Sequence, residues 1–353
     1  MLLKQFVVSC LLAFGVRAAE PRGKTYIVTL KPGANIQTHI TERREGFEIK
    51  HVYSGVINGY AAVFSPSALE ALKSSGDVQA IEIDQTFSIP RDAASSSSTQ
   101  LGNAVRLLEK KATGGAGVDI YFFDTGIDLT KQCFGSRARW GATFGGYQNV
   151  DGNGHGTAMA ASALCPEAGG TATSASGVAV KILSDSGSGT TSSIISGINW
   201  AVQQYQSTGR PSIGVMALGG AGSAALDNAV SGAINAGFHM VVTAGKFITV
   251  SPARVLGAVT VGSISWSKVR LSSSNYGAEI DVWSFYPIAC PTDIPNCNTP
   301  TNSVSYVAAY MAVAIGSYGN KSPADLTTDL RSHAVPDVTG VPAGTTNLRA
   351  VPW

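Results

Sequence analysis

The chain has 353 residues, of which 44% are hydrophobic and 14% are charged. This composition is typical of a globular protein and excludes an extended disordered chain. The formal net charge of +2 is too small to indicate nucleic-acid binding, and the length allows one large domain or a small domain followed by a large one.

The N-terminus is typical of a secretory signal peptide, which we predict for residues 1–18. Lys4 supplies the positive start, and an apolar run follows from Phe6 to Val16. The run is too short to span a bilayer comfortably, and no later segment offers ~20 uninterrupted apolar residues. An uncleaved membrane anchor is the alternative. We therefore expect a secreted, extracellular protein that does not bind a membrane.

A small domain is predicted for residues 24–90. Its pattern reads β-α-β-β-α-β, which is a split βαβ arrangement of the ferredoxin-like α+β type. One helix begins at Ser65-Pro66, where a cap residue precedes proline, and ends near Gly76. The predicted strands are 25–30, 52–53, 59–64 and 78–83, and a weak helix is expected within 36–47.

Residues 91–114 begin with a polar, serine-rich stretch that predicts a flexible, protease-accessible linker. From 115 to 353, strands and helices alternate, which favours an α/β domain with an open, mostly parallel sheet and helices on both faces. The predicted strands are 118–123, 177–183, 214–218, 239–244 and 258–263. The predicted helices are 158–164, 192–204 and 303–317.

The cysteines and one sequon fit a secreted chain. The fifth cysteine lies within the predicted signal peptide, which leaves Cys133, Cys165, Cys290 and Cys297. An even number favours two disulfides, with three connectivities open. We favour Cys290 with Cys297 and Cys133 with Cys165, and metal binding is the weaker alternative because no C-x-x-C pair exists. Asn320 begins an N-x-S sequon and is a candidate for glycosylation.

Three motifs carry candidate catalytic side chains. An apolar strand ends at Asp124, His155 stands between glycines in Asp151-Gly-Asn-Gly-His-Gly-Thr157, and Ser303 precedes an apolar helix. A serine hydroxyl is a poor nucleophile at neutral pH and needs an adjacent base, which in turn needs an orienting group. Asp, His and Ser could form such a set. The alternative for Ser303 is a helix N-cap.

These motifs resemble those of the subtilisin-like serine proteases (peptidase S8 family), and within them the fungal proteinase K-like group. The resemblance covers nearly the whole chain. It implies an inhibitory I9-type propeptide at 24–90, the start of the mature chain within 91–114, and a three-layer subtilisin-like domain at 115–353. The segments that carry it are Asp124-Thr-Gly-Ile127, the His155 motif, 181–189, 217–220 and 340–348.

The resemblance implies that Ser303 is the nucleophile, that His155 is the general base, and that Asp124 orients the imidazole. It also implies a substrate cleft, in which one edge pairs with an extended peptide and two segments form the pocket. The same glycines could simply form turns. The implied cleft residues are Gly187, Ser188, Gly189, Ala217, Leu218, Gly219, Gly220, Thr243, Ala244 and Gly245.

One departure from the family concerns the oxyanion hole. The family motif Ala-Ala-Gly-Asn supplies an amide donor, whereas this chain has Lys246 at the asparagine position. Loss of that donor costs about 10²–10³ in turnover, a value that comes from another member of this same family. The ammonium of Lys246 could donate in its place or turn to solvent, and as a cation it would disfavour the imidazolium of His155.

Two other segments depart from the family. The family's nucleophile motif is Gly-Thr-Ser-Met-Ala-Thr-Pro-His. This chain has Thr301-Asn-Ser-Val-Ser-Tyr-Val-Ala308 at that place, without the glycine and the proline. Ser265 stands where the proteinase K group has a calcium-ligating aspartate, so no metal or other cofactor is predicted.

Taken together, these features predict a secreted serine endopeptidase homologue that is made as a zymogen and whose activity is weakened by Lys246. We expect it to be a monomer that acts on peptides or proteins and is inhibited by its own propeptide. The first alternative is an inactive pseudoprotease that binds peptides or a partner. The second is that the 24–90 domain acts alone as a protease inhibitor, although a domain of that size is marginally stable.

Overall fold

A computed structural model describes residues 23–42, 46–90, 114–245, 250–286, 290–294 and 297–353. The predicted signal peptide, nearly all of the predicted linker and Lys246 lie outside the described residues. The predictions made for them are therefore not examined by the structure.

The N-terminal domain has the predicted order of elements, as β1 Thr25–Leu30, α1 Ile36–Glu42, β2 Phe47–Tyr53, β3 Gly59–Phe64, α2 Pro66–Lys73 and β4 Val78–Ile83. The strands form one antiparallel sheet in the order β2-β3-β1-β4. The hydroxyl of Ser65 accepts from the amide of Ala68 and caps α2. The helix ends at Lys73, three residues before the predicted Gly76, because the amide of Ser74 already bonds back to its last turn.

The large domain is the predicted α/β type. Its elements are β6 Asp119–Asp124, β7 Ala138–Thr143, α3 His155–Leu164, β8 Ser176–Lys181, α4 Thr191–Thr208, β10 Ser212–Met216, α5 Ala224–Asn235, β11 His239–Thr243, β12 Val259–Ile264, β13 Val282–Phe285, α6 Ser303–Tyr318, α7 Pro323–His333, β14 Val335–Pro336 and β15 Leu348–Arg349, with two short strands between the domains, β5 Thr86–Ser88 and β9 Ser188–Thr190. The sheet runs β14-β15-β13-β12-β11-β10-β6-β8-β7 and is parallel except at β14–β15.

Apolar cores lie on both faces of this sheet, as expected when a parallel sheet is covered by helices. One core contains residues of α3 and α6, and the other contains residues of α4 and α5. Helix α6 is buried over most of its circumference, which fits its nearly uninterrupted apolar sequence. Since α6 begins beside the carboxyl ends of the strands, its first turn reaches the edge where Asp124 ends β6.

The disulfides pair as predicted. Cys133 is bonded to Cys165, and Cys290 is bonded to Cys297, with a Cα–Cα distance of 5.4 Å in each. The first links the segment before β7 to the end of α3, and the second closes a short loop ahead of α6.

The N-terminal domain docks on α4 and α5. The carboxylate of Asp84 accepts from the amide of Ser192 in the first turn of α4 at 2.8 Å. The carboxylate of Glu82 accepts from the amide of Ala225 in the first turn of α5 at 2.8 Å. Side-chain oxygen atoms at helix N-termini satisfy amides that have no partner within the helix. The docked domain therefore completes two helices of the large domain.

The contact is close as well as polar. A Cβ atom at Gly232 of α5 would lie 2.0 Å from the carbonyl oxygen of Val56. The side-chain oxygen of Asn199 accepts from the amides of Ser54 and Gly55 at 3.2 and 2.7 Å. Only a residue without a side chain fits at position 232 while the two domains are docked.

Candidate active site

Asp124 and His155 meet at the carboxyl edge of the sheet. The Nδ1 atom of His155 lies 2.8 and 2.9 Å from the two carboxylate oxygens of Asp124. The amide of Thr125 donates to the same carboxylate at 2.7 Å. Because a carboxylate accepts, Nδ1 carries a proton, and in the neutral ring Nε2 is left as the acceptor. The imidazole is thus held in the tautomer that a general base requires.

The two glycines beside His155 are each required for a different physical reason. Gly154 precedes α3 with a φ of 89°, in the left-handed region that favours glycine. A Cβ atom at Gly156 would lie 2.1 Å from the carbonyl oxygen of Gly126, so the helix start could not approach the turn after β6. Asp151 fixes the same loop, since its carboxylate accepts from the amides of Gly154 and Thr157 at 2.8 and 2.9 Å.

A buried lysine that the sequence analysis did not single out supports this loop. The ammonium of Lys181 is 1% exposed, donates to the carbonyl of Thr125, and lies 2.7 Å from a carboxylate oxygen of Asp185. Asp185 accepts from the amide of Gly152 at 3.2 Å. The hydrogen bond from Lys181 lowers the pKa of Asp185. Lys181 stands beside Asp124 in the pairing of β8 with β6, a neighbour that the sequence pattern does not reveal.

The structure does not bring Ser303, the predicted nucleophile, to His155. The hydroxyl that lies against Nε2 of His155 belongs to Thr301, at 3.1 Å. Ser303 is fully buried, and its hydroxyl lies 2.9 Å from that of Ser263, on the side of β12. Of the two hydroxyls in this segment, that of Thr301 contacts His155 and that of Ser303 does not.

The reason is geometric. Pro300–Asn302 form a short 3₁₀ turn before α6, whereas Ser303 is the first residue of the α-helix. Two residues along such a helix rotate a side chain by about 200° about the axis, so Ser303 points into the core when Thr301 points to His155. Shifting the family motif by two positions sets its serine at Thr301 and its glycine at Thr299, and places its histidine at Tyr306.

The cleft already holds a strand from the N-terminal domain. Strand β5 pairs antiparallel with β9, with Phe87 opposite Gly189 and Ser88 opposite Ser188. Ser88 and Gly219 exchange two backbone hydrogen bonds, at 3.2 and 3.1 Å, and the amide of Ile89 donates to the carbonyl of Gly187 at 3.0 Å. The strand therefore lies between the predicted peptide-pairing edge at 187–189 and the predicted pocket segment at 217–220.

The side chains of this strand occupy defined places. Phe87 is fully buried, with its ring against Gly220, where a Cβ atom would come within 2.7 Å. Pro90 lies in the same small pocket as Thr301, together with Thr243 and Gly245. The other pocket residues are Ser263, Ser273, Ser274 and Pro300. The docked strand thus leads to the hydroxyl that contacts His155.

Three of the remaining predicted cleft residues are buried behind the surface. Ala217, Leu218 and Ala244 are each 1–2% exposed, so they support the pocket with backbone rather than with an accessible side chain. Ser188 lies within the edge strand β9. Lys246, the predicted oxyanion-hole position, lies outside the described residues, and its role stays a prediction.

Asn320, the predicted glycosylation position, is exposed, and Ser265, which stands at the family's calcium position, is half-buried. The hydroxyl of Ser265 accepts from the amide of Val269 at 3.3 Å, within a turn after β12. In the described ranges, no group of three or more His, Cys, Asp or Glu side chains is arranged to hold a metal ion. The side-chain oxygen of Asn320 lies 2.9 Å from Nε2 of the buried His239, and glycosylation of Asn320 stays a prediction.

Comparisons with known proteins assign both domains to known families. The family model for the subtilases (Peptidase S8) matches residues 115–335, and the model for the peptidase inhibitor I9 matches residues 25–90. The chain belongs to the subtilase family and carries an I9 propeptide ahead of its peptidase domain. Among the described residues, no helix is long and apolar enough to cross a membrane.

The chain is similar to fungal proteases and to a protease of solved structure. The chain is 32% identical over 321 residues to the subtilisin-like serine protease AsES of Sarocladium strictum, covering 85% of this chain and 82% of the relative. It is 33% identical over 375 residues to a cuticle-degrading serine protease of Arthrobotrys oligospora, covering 94% and 90%. The crystal structure of a cold-adapted subtilisin-like serine proteinase matches with a TM-score of 0.62 and 33% identity, covering 69% and 92%.

Proposed function

We propose that the protein is a secreted, propeptide-inhibited peptidase that hydrolyses peptide bonds through an acyl intermediate on Thr301, at a reduced rate. The observation that carries the proposal is the 3.1 Å contact between Nε2 of His155 and the Thr301 hydroxyl, in line with Asp124. In the first step the Thr301 oxygen attacks the carbonyl carbon and its proton passes to Nε2. Asp124 stabilises the resulting imidazolium, and the imidazolium then protonates the leaving amine.

Two features lower the expected rate. Thr301 is β-branched, so its methyl group restricts χ1 and crowds the approach to the carbonyl carbon. Lys246 replaces the asparagine that the family uses to stabilise the oxyanion. Both leave the base and its orienting carboxylate intact, and residual catalysis survives large lesions in sites of this kind.

The substrate is an extended peptide. The N-terminal domain's own strand supports this assignment, because it pairs with β9 and with Gly219 through backbone hydrogen bonds. An added strand bound in this way gains affinity from the main chain and specificity from alternate side-chain pockets. While residues 86–90 occupy the cleft, a second peptide is excluded, so activity requires removal of the N-terminal domain.

A pseudoprotease is the second candidate function. The observation that favours it is also Thr301, since the hydroxyl beside His155 is carried by a threonine whose oxygen lies 2.9 Å from that of Thr299. In that case the cleft would bind extended peptides without cleaving them.

The two functions are separated by variants of the whole chain. We expect the natural chain to cut itself between residues 88 and 100 and to be labelled on the peptide that contains Thr301 by a fluorophosphonate. Thr301→Ala should abolish both reactions, and Thr301→Ser should accelerate both. Ser303→Ala is the matched control and should keep both, because Ser303 does not contact His155. Intact, unlabelled Thr301→Ser protein would favour the pseudoprotease.

A further inference from the structure

We propose that Thr299 is a positioning residue that holds the hydroxyl proton of Thr301 away from His155, so that the nucleophile rests in an unreactive hydrogen bond. This inference rests on the proposed function of Thr301. It follows from a count of the protons that four adjacent side chains have available.

The count begins at Asn302, whose amide orientation is fixed. Its nitrogen donates its two protons to the carbonyl oxygen of Cys297 and to the hydroxyl of Ser162, each at 2.8 Å, and lies 3.2 Å from the carbonyl oxygen of Ala158. The Ser162 hydroxyl donates its own proton to that carbonyl of Ala158. Carbonyl oxygens only accept, so the nitrogen of the amide must lie on this side. The side-chain oxygen of Asn302 therefore points the other way and can only accept.

The donor to that oxygen is Thr299. The two side-chain oxygens lie 2.6 Å apart, and since the amide oxygen has no proton, the Thr299 hydroxyl must donate. A hydroxyl has a single proton. In its contact with Thr301, where the two hydroxyl oxygens are 2.9 Å apart, Thr299 is consequently the acceptor.

Thr301 must then donate to Thr299, and its one proton cannot also serve the hydrogen bond to His155. In the neutral ring Nδ1 donates to Asp124, so Nε2 and the Thr301 oxygen face each other without a proton between them. The chain of hydroxyls runs from Thr301 through Thr299 to Asn302, away from the base.

Reaction requires this hydrogen bond to be given up. The O–H bond of Thr301 breaks, its proton goes to Nε2, the oxygen bonds to the substrate carbonyl carbon, and the carbonyl electron pair moves to the carbonyl oxygen. The bond to Thr299 exists before attack and is lost on the way to it, so it stabilises the ground state alone and raises the barrier. Removing one such bond should accelerate attack by about tenfold, which corresponds to ~1.4 kcal/mol.

The test compares two substitutions at Thr299 in the full chain. Thr299→Val keeps the shape and removes the hydroxyl, whereas Thr299→Ser keeps the hydroxyl and is the matched control. Each is made in the natural chain and in Thr301→Ser, which gives a higher starting rate. The first-order rate constant of self-cleavage between 88 and 100 and the rate of fluorophosphonate labelling are measured between pH 6 and 9.

We expect Thr299→Val to raise both rate constants by about tenfold across this pH range, and Thr299→Ser to leave them unchanged. A purely structural role for Thr299 predicts the opposite sign, since Thr299→Val leaves the Asn302 oxygen without its donor and loosens the turn. Thr299→Ala, which removes the hydroxyl and the bulk, repeats the measurement if the valine is poorly accommodated.

The possible failures are distinguishable. Unchanged or lower rates in both Thr299→Val and Thr299→Ala overturn the role of Thr299, provided that Thr301→Ala abolishes reaction. If Thr301→Ala reacts like its parent, or if no variant reacts even with Thr301→Ser, the proposed nucleophile is wrong and the inference fails with it.

Discussion

The two carboxylates that join the N-terminal domain to the helices of the peptidase domain offer a quantitative prediction. Glu82 accepts from the amide of Ala225 and from the hydroxyl of Ser223 at 2.8 and 2.9 Å. Asp84 accepts from the amide and the hydroxyl of Ser192 at 2.8 and 2.6 Å. The perturbation is Glu82→Gln with Asp84→Asn, which keeps the shape of each side chain and removes the charge.

The magnitude follows from these contacts. A charged acceptor at a helix N-terminus gains about 0.3–1 kcal/mol from the helix dipole, and hydrogen bonds to charged groups exceed neutral ones by about 1 kcal/mol. Each substitution should therefore weaken docking by about 1–2 kcal/mol. Glu82 and Asp84 share no partner, so the pair should add to about 2–4 kcal/mol. This corresponds to about 30-fold to 1,000-fold in the docking equilibrium.

Hydrogen exchange measures this equilibrium in the intact chain. The amide of Ser88 donates to Gly219 only while the domains are docked, so its protection should fall by the same factor in the double variant. Glu70→Gln is the matched control for each single substitution, because Glu70 pairs with Lys73 within the N-terminal domain and its replacement removes one negative charge. Unchanged protection of Ser88 in the double variant would refute the reasoning.

Three further predictions concern the peptidase domain. Gly156→Ala should lower the free energy of unfolding by about 1–3 kcal/mol and slow self-cleavage, because its Cβ would meet a backbone oxygen at 2.1 Å; thermal unfolding that matches the parent would contradict this. Replacing Cys133 and Cys165 by alanine should cost about 3–4 kcal/mol from the entropy of a 32-residue loop, measured by denaturant unfolding, and a loss below ~1 kcal/mol would exclude that account. Hydrogen bonds from Arg349 lower the pKa of Asp337 from 3.8 to about 2, so its contribution to stability is present above pH 3.8 and is lost as pH falls through about 2. Asp337→Asn should reduce the dependence of the unfolding midpoint on pH across that interval. An unaltered pH dependence there would show that Asp337 is not responsible.

Much of the fold was accessible from local patterns. The order of elements in the N-terminal domain and the main strands and helices of the large domain follow from strand and helix periodicity, whereas β7, α5, β13 and α7 were not predicted. The even cysteine count predicted two disulfides but left three connectivities open, and the favoured pairing is the one in the structure. These features are encoded within a few residues of where they occur.

The support around the site was not accessible in the same way. Lys181 lies 26 residues from His155 in sequence, and its importance depends on burial beside Asp124 and on a bond to Asp185. The contacts of Glu82 and Asp84 join elements more than 100 residues apart. A lysine or a carboxylate in sequence is usually a solvated charge, so only its neighbours in space identify such a role.

The sequence by itself determined the ancestry of the chain, the two domains, and the pair formed by Asp124 and His155, because each is written in a short motif with a fixed local geometry. It could not determine which hydroxyl lies against Nε2 of His155. Thr301 and Ser303 are two residues apart, and the segment that contains them has lost the glycine and proline of the family motif. The tertiary structure decided between them, because the turn at Pro300–Asn302 aims one side chain at Nε2 of His155 and the start of α6 buries the other against Ser263.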